Sequence, residues 1–234
     1  MAVLGHRGTG SGAGENTLAA FGAALDAGAD GVELDVRRTR DGALAVFHDP
    51  VIEGLGPVAD LAVADLPSYV PMLEPVLELC SGAGLVNIEV KNFPTEPGYD
   101  PDDLAARQVA ALLLERDGPA VIVSSFTTSA LDAVRDAAPE VPTGLLILPG
   151  APVEELLRVA VERGYSAIHP HYSSVSAGLV ASARAAGLAV NTWTVNDPSD
   201  VQSVIDAGVQ SVITDRVAEV VALVSGAGSG AAQE

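Results

Sequence analysis

The segment Gly31-Val32-Glu33-Leu34-Asp35-Val36-Arg37-Arg38-Thr39-Arg40-Asp41-Gly42-Ala43-Leu44-Ala45-Val46-Phe47 decides how the rest of the chain is counted. Gly31–Arg38 and Ala43–Phe47 both read as strands, and only Thr39–Gly42 separates them. A parallel crossover needs a dozen residues or more, whereas Asp-Gly is a hairpin-turn signal. The second run therefore returns antiparallel to the first, as an arm projecting beyond the end of a longer sheet.

With the arm set aside, eight short apolar runs remain: Val3–Gly5, Gly31–Arg38, Leu85–Val90, Ala120–Ser124, Gly144–Leu148, Ala167–His169, Ala189–Thr194 and Ser211–Thr214. Segments of helical period follow them: Thr17–Ala27, Met72–Cys80, Leu104–Glu115, Ser129–Ala137, Val153–Glu162, Ala177–Ala186, Pro198–Ala207 and Val217–Val224. Gly28, Gly84, Gly118, Gly164, Gly187 and Gly208 stand where helices stop, which suits a left-handed residue. Near-continuous apolar strands alternating with helices imply a parallel sheet covered by helices. Eight such units in 234 residues predict a (β/α)8 TIM barrel, a fold of about 250 residues, with a short β-hairpin arm and a small insertion after strand 2. Residues 1–224 read as a single domain and 225–234, rich in Gly, Ala and Ser, as a flexible tail.

Composition narrows the partners. The formal net charge is −19, from 12 Lys+Arg against 31 Asp+Glu. Such a surface repels nucleic acid and anionic membrane, so neither nucleic-acid binding nor stable membrane association is expected. No apolar run approaches the roughly 18 residues of a spanning helix, and Met1–Gly8 lacks the pattern of a secretory signal. A cytoplasmic location is the expectation. Cys80 is the single cysteine, which rules out an intramolecular disulfide and reads as a small packed hydrophobe.

Chemistry is expected at the C-terminal ends of the barrel strands. Residues two apart on a strand share a face, so Glu33 and Asp35 point into the barrel while Val32, Leu34 and Val36 point toward the helices. Two adjacent buried carboxylates need compensation, either from Arg7 or Arg37 as internal ion pairs or from a divalent cation. Oxygen ligands suit Mg²⁺ or Ca²⁺, and Glu89 in Ile88-Glu89-Val90-Lys91 supplies a third carboxylate. With Asp41 and Gly42 as the two central turn residues, Asp35 stands opposite His48, which sets that histidine on the carboxylate side.

His6-Arg7-Gly8 ends the first strand. His6 is a second proton donor or acceptor, and Arg7 can present a planar fork to phosphate. Lys91, the only lysine, adds a point charge, and Trp193, the only tryptophan, is a candidate wall of the substrate pocket. Asn16 or Thr17 caps the following helix, Thr214-Asp215-Arg216 caps the last one, and His169 and His171 read as structural. Histidines, arginine, lysine and a metal together describe a site for a phosphate ester.

These residues resemble a known family. His6-Arg7-Gly8, Glu15-Asn16-Thr17, Glu33-Leu34-Asp35-Val36, Thr39-Arg40-Asp41-Gly42, His48-Asp49, Ile88-Glu89-Val90-Lys91 and Trp193-Thr194-Val195-Asn196 are similar, in order, to the motifs of glycerophosphodiester phosphodiesterases. The resemblance runs from residue 5 to about 216 and departs at Gly14, where the family has proline, and after His48-Asp49, where its arginine–threonine pair is missing. It implies a (β/α)8 barrel that hydrolyses glycerophosphodiesters to glycerol 3-phosphate and an alcohol with one divalent cation. It also implies Glu33, Asp35 and Glu89 as metal ligands, His6 and His48 as the acid/base pair, and Arg7 and Lys91 as phosphate contacts. Two other readings are a phosphodiesterase of lysophospholipids and a noncatalytic barrel that binds a phosphorylated ligand. The order of the two histidines, the first attacking oxygen and the oligomeric state stay open at this level.

Overall fold

The structure, a computed structural model, describes residues 1–9 and 14–230. Eight parallel strands form a closed ring: β1 (Ala2–Gly5), β2 (Gly31–Arg38), β3 (Leu85–Val90), β4 (Val121–Ser125), β5 (Thr143–Ile147), β6 (Ala167–Pro170), β7 (Ala189–Thr192) and β8 (Ser211–Thr214). Each pairs with the next, and β1 closes the ring by pairing with β8 through Ala2↔Ser211 to Gly5↔Thr214 and with β2 through Leu4↔Gly31. The helices between and after them are α1 (Leu18–Asp26), α2 (Leu73–Leu79), α3 (Leu104–Leu114), α4 (Thr128–Ala137), α5 (Val153–Glu162), α6 (Ala177–Ala185), α7 (Pro198–Ala207) and α8 (Val217–Gly230). This is the expected (β/α)8 barrel.

Element ends agree with the sequence reading to within two residues, except at α8. That helix runs to Gly230 where Val224 was expected, because each residue added to an existing helix gains a hydrogen bond even where glycine and serine are weak helix formers. The expected tail thus shares Ser225–Gly230 with the helix, and residues 231–234 lie outside the described residues. Gly28, Gly164, Gly187 and Gly208 are left-handed as predicted, whereas Gly84 and Gly118 are not.

The alternation of side chains divides the packing. Val32, Leu34, Val36, Val86, Ile88 and Val90 are fully buried against α1, α2 and α3, and a second apolar layer around Ile168, Val190 and Val212 packs under α5 to α8. Cys80 sits in the first layer, and burial pushes its thiol up to about 11. Inside the ring, His169, Asn191 and Ser211 form a buried hydrogen-bonded chain: the Asn191 amide lies 2.9 Å from His169 Nε2, and Ser211 Oγ donates to Asn191 Oδ1 at 2.7 Å. Gly144 makes room for this ring, since a Cβ there would collide with the His169 imidazole.

The arm departs from expectation in its register. The return strand, Leu44–Val46, pairs antiparallel with β2 as Val36↔Val46, Arg37↔Ala45 and Arg38↔Leu44. Phe47, rather than His48, stands opposite Asp35, and its N–H donates to the Asp35 carbonyl at 3.0 Å. The turn holds three residues and not two: Gly42 N–H donates back to Thr39 O at 3.0 Å, Thr39 N–H to Ala43 O at 2.9 Å, and Gly42 adopts a left-handed φ of 88°. A type I turn followed by a left-handed glycine is a common three-residue hairpin loop, and it shifts every pair by one. Beyond the arm, a ribbon of Val51–Ile52 and Gly56–Pro57 folds over Ala45, Val58 and Val70 as a small apolar cluster of its own.

Candidate active site

The C-terminal ends of the barrel strands meet at a cavity of about 310 Å³ lined by His6, Arg7, Glu33, His48, Asn87, Glu89, Lys91, Phe93, Glu96, Phe126, Leu146, Leu148, Trp193, Thr194 and Ile213. Asp35 lies buried beside it, 1% exposed. All eight residues singled out in the sequence therefore gather at one end of the barrel. A cavity of similar size, about 330 Å³, opens at the opposite end around Leu77, Arg116 and Pro119 and brings no such set together.

Glu33 and Asp35 are inward on β2, and the register Asp35↔Glu89 sets the third carboxylate beside them. One oxygen from each lies within 4.8 Å of the others. Ligands about 2.3–2.6 Å from a shared calcium ion stand at most roughly 5 Å apart, so this spacing fits a hard divalent cation. The surrounding charges are partly balanced. Lys91 Nζ bridges Asp35 Oδ1 at 3.0 Å and Glu89 Oε1 at 2.5 Å, and Arg7 Nε reaches Asp35 Oδ2 at 3.2 Å.

Of the two arginines proposed as internal partners, Arg7 makes the pair and Arg37 does not. Burial works against ionisation of Asp35, but Lys91, Arg7 and His48 outweigh it and hold its carboxyl below the usual range. Among the described residues, Glu33 has neither lysine nor arginine paired to it: burial and the nearby Asp35 charge outweigh His6 and push it well above the carboxylate range. Glu89 is raised by burial as well, with Lys91 opposing. An acid buried with only a distant imidazole and one backbone amide is what a cation of higher charge would complete.

Arg7 and Asn16 reach the site through left-handed backbone, at φ 50° and 54°. Such conformations cost about 1 kcal/mol or more outside glycine, and specific bonds hold them. Arg7 N–H donates to Glu33 Oε2 at 3.0 Å, and Asn16 N–H donates to Arg7 O at 2.9 Å. The Asn16 amide then donates to Asp35 Oδ2 at 2.8 Å. Thr17, not Asn16, caps α1, accepting from Ala20 N–H at 3.1 Å.

Both cavity histidines carry a carboxylate on Nδ1. His6 Nδ1 lies 2.7 Å from Asp215 Oδ1, and His48 Nδ1 lies 2.7 Å from Asp49 Oδ1. Because a carboxylate only accepts, each Nδ1 bears the proton and each Nε2 is left for other partners. His6 Nε2 stands 4.0 Å from Glu33 Oε2. The two environments diverge. Burial alone depresses His6, but the hydrogen bond to Asp215 and the Glu33 charge hold it above the ordinary imidazole value. Burial and Lys91 bring His48 below that value despite Asp35.

His48 reaches the cavity in spite of the shifted register. The chain leaves the ladder after Val46, so strand alternation no longer governs where residue 48 points. The same effect separates the residues after β7. Asn191 is buried in the ring and Trp193 lines the cavity, but Val195, two residues further on, packs into the helix-side layer because the strand ends at Thr192.

Four contributors were not legible. Asp215 was read only as a cap. Glu96 and Phe93 sit in the loop after β3, and Phe126 follows β4; none carries a periodic or motif signal. Phe126 packs against Phe93 at 5.3 Å and meets Trp193 edge-on at 5.6 Å, so an aromatic wall faces the charged side of the cavity. His169, by contrast, stays inside the ring, where burial brings its imidazole down to about 3.

A TIM barrel that assembles three acids, two cations and two carboxylate-backed histidines at the C-terminal ends of its strands carries the groups that phosphoric ester hydrolysis needs. Residues 6–219 match the glycerophosphoryl diester phosphodiesterase family, and the chain belongs to that family. A glycerophosphodiester phosphodiesterase of Caldanaerobacter subterraneus is 33% identical over 91% of this chain and 93% of its own. The crystal structure of a glycerophosphodiester phosphodiesterase from Thermotoga maritima superposes with a TM-score of 0.81 at 30% identity, covering 95% of this chain and 98% of that one. A phosphodiesterase of Oleispira antarctica, solved with its product sn-glycerol-3-phosphate, shares the fold at a TM-score of 0.83 and 24% identity, over 96% and 97% of the two chains. The protein is an enzyme of glycerophosphodiester hydrolysis. No helix among the described residues is long and apolar enough to cross a membrane.

Proposed function

We propose that the enzyme cleaves small glycerophosphodiesters to glycerol 3-phosphate and an alcohol, with Glu33, Asp35 and Glu89 holding one Mg²⁺ or Ca²⁺ and with His6 and His48 as general acid and base. The observation that carries this reading is that both histidines reach the cavity of the acidic cluster, each oriented by its own carboxylate. The cation, when bound, supplies positive charge for the phosphoryl oxygens. Arg7 and Lys91 add fixed cations on the same side of the cavity, where charge grows in the transition state.

The opposed environments support a division of the proton work. His48, held below its ordinary value, is neutral near pH 7, and its Nε2 takes the proton of the attacking oxygen, either water or the substrate's glycerol hydroxyl. In the second case water then opens the cyclic phosphate to glycerol 3-phosphate. His6, held above its ordinary value, donates from Nε2 to the leaving alkoxide as the P–O bond breaks. Phe93, Phe126, Leu146 and Trp193 form an apolar surface for the carbon skeleton of the substrate. In the Oleispira relative the bound product is sn-glycerol-3-phosphate, which supports a substrate of that size here.

The test is hydrolysis of glycerophosphocholine with Mg²⁺ or Ca²⁺. Activity lost on EDTA treatment and restored by the cation, together with kcat reduced about 10²-fold or more in His6→Ala and His48→Ala, supports the reading. Wild-type turnover in either variant, or full activity in EDTA, overturns it.

A further inference from the structure

Arg37 is 7% exposed, lies outside the charge cluster and has no part in the chemistry above. It sits on β2 two residues beyond Asp35, at the point where the barrel strand becomes the arm. Its Nε donates to the backbone carbonyl of His48 at 2.8 Å, and its Nη1 donates to Glu96 Oε2 at 2.9 Å. Glu96 belongs to the loop Asn92–Asp100, whose base Asn92 closes: its amide donates to Asp100 O at 2.7 Å and Asp103 Oδ1 at 2.5 Å, and its Oδ1 accepts from Asp100 N–H at 2.9 Å. The loop carries Phe93 into the cavity. One buried guanidinium thus joins the two segments that roof the site.

This matters because His48 has left the ladder that would otherwise fix it. After Phe47 N–H donates to Asp35 O, the hydrogen bond from the barrel to residue 48 itself, among the described residues, is that of Arg37 to its carbonyl. We propose that Arg37 is a positioning residue: it sets the height of His48 over the acidic cluster from behind and couples that position, through Glu96, to the loop bearing Phe93. A guanidinium is suited to this because its planar fork serves two acceptors at once, which an ammonium does not reproduce. Misplacing an acid/base group by about 1 Å costs on the order of 10²-fold in rate.

The proposal rests on the reading of His48 as an acid/base residue, and a double-mutant cycle separates the two. Arg37→Ala, His48→Ala and the double variant are assayed on glycerophosphocholine with Mg²⁺. Arg37→Ala is expected to lower kcat about 10- to 100-fold while KM rises less than about 3-fold. On the His48→Ala background the same change is expected to cost less than about 2-fold, since the group it positions is gone. Amide hydrogen exchange of intact Arg37→Ala is expected to rise in residues 47–50 and 93–99 and to stay unchanged in the barrel strands. If Arg37→Ala does not fold by circular dichroism, Arg37→Lys takes its place, with the same losses in smaller measure. Equal losses on both backgrounds, an unchanged kcat, or unchanged exchange in those two segments overturn the role of Arg37. Wild-type kcat in His48→Ala instead overturns the acid/base reading, and the positioning role with it.

Discussion

His6 and Asp215 lie 209 residues apart in the chain and 2.7 Å apart in the folded enzyme. Asp215 is itself fixed: its Oδ2 accepts from the Asn196 amide at 2.7 Å, and its N–H donates to Asn196 Oδ1 at 2.9 Å. The carboxylate therefore holds the His6 tautomer and favours its protonated form. Asp215→Asn is expected to lower kcat for glycerophosphocholine about 10-fold or more. The loss should shrink for a glycerol phosphodiester of p-nitrophenol, a leaving group that departs without a proton. Equal losses on both substrates would show that Asp215 does not act through His6.

Among the described residues, Glu33 is the acid of the cluster with no lysine or arginine ion pair; the His6 imidazole stands 4.0 Å away. Titration calorimetry of the enzyme with Ca²⁺ is expected to show one bound ion. Glu33→Gln should weaken that binding about 10-fold or more, because it removes a charged oxygen ligand. Unchanged Ca²⁺ affinity in Glu33→Gln would remove this residue from the ligand set.

Lys91 bridges Asp35 and Glu89 from a position only 7% exposed at the side chain. Taking one partner out of a buried ionic cluster costs about 3–5 kcal/mol. Lys91→Met is expected to show that loss in urea unfolding without divalent cation, and millimolar Mg²⁺ or Ca²⁺ should recover part of it. A variant as stable as the wild type would mean that Asp35 and Glu89 do not both carry charge.

Trp193 is the single tryptophan and lines the cavity. Its emission reports directly on occupancy. Glycerol 3-phosphate is expected to change the intrinsic fluorescence in a saturable way, and Trp193→Ala to raise KM more than it lowers kcat. A flat titration at concentrations that inhibit turnover would place the product elsewhere.

His169 gives the fold a pH dependence of known sign. Its folded value is depressed to about 3, from 6.5, by burial. The unfolded chain binds the proton first, so the stabilisation is complete above the unfolded value and falls as pH drops toward the folded one. Between pH 7 and pH 5 the loss from this group is about 2 kcal/mol. Urea midpoints of wild type and His169→Gln at those two pH values check it; the wild type should lose more. Equal losses would mean that the ring is not held neutral in its buried site.

Much of this was legible beforehand. The period-2 alternation of Gly31–Val36 told which side chains face the ring, and it placed Glu33 and Asp35 inside, where they are. The Asp-Gly turn told that the arm returns, but not by how many residues. Two-residue and three-residue loops both use those side chains, and only the left-handed Gly42 with its hydrogen bond to Thr39 distinguishes them. His48 was placed at the site by a register that the structure does not have. It arrives there because the chain turns away from the strand and Arg37 holds its carbonyl.

The sequence by itself determined the eightfold alternation of strands and helices, the inward carboxylates and the set of residue types gathered at the strand ends. These follow from side-chain direction and turn chemistry, which act over a few residues. Tertiary structure alone decided which carboxylate backs His6, which acid is left without a lysine or arginine partner, and which arginine meets Asp35. Those pairings join residues brought together by the closing of β1 against β8 and by the folding of loops over the mouth. A side chain's local pattern sets its face but not its partner, because the partner is chosen by long-range backbone registers that no short window of sequence contains.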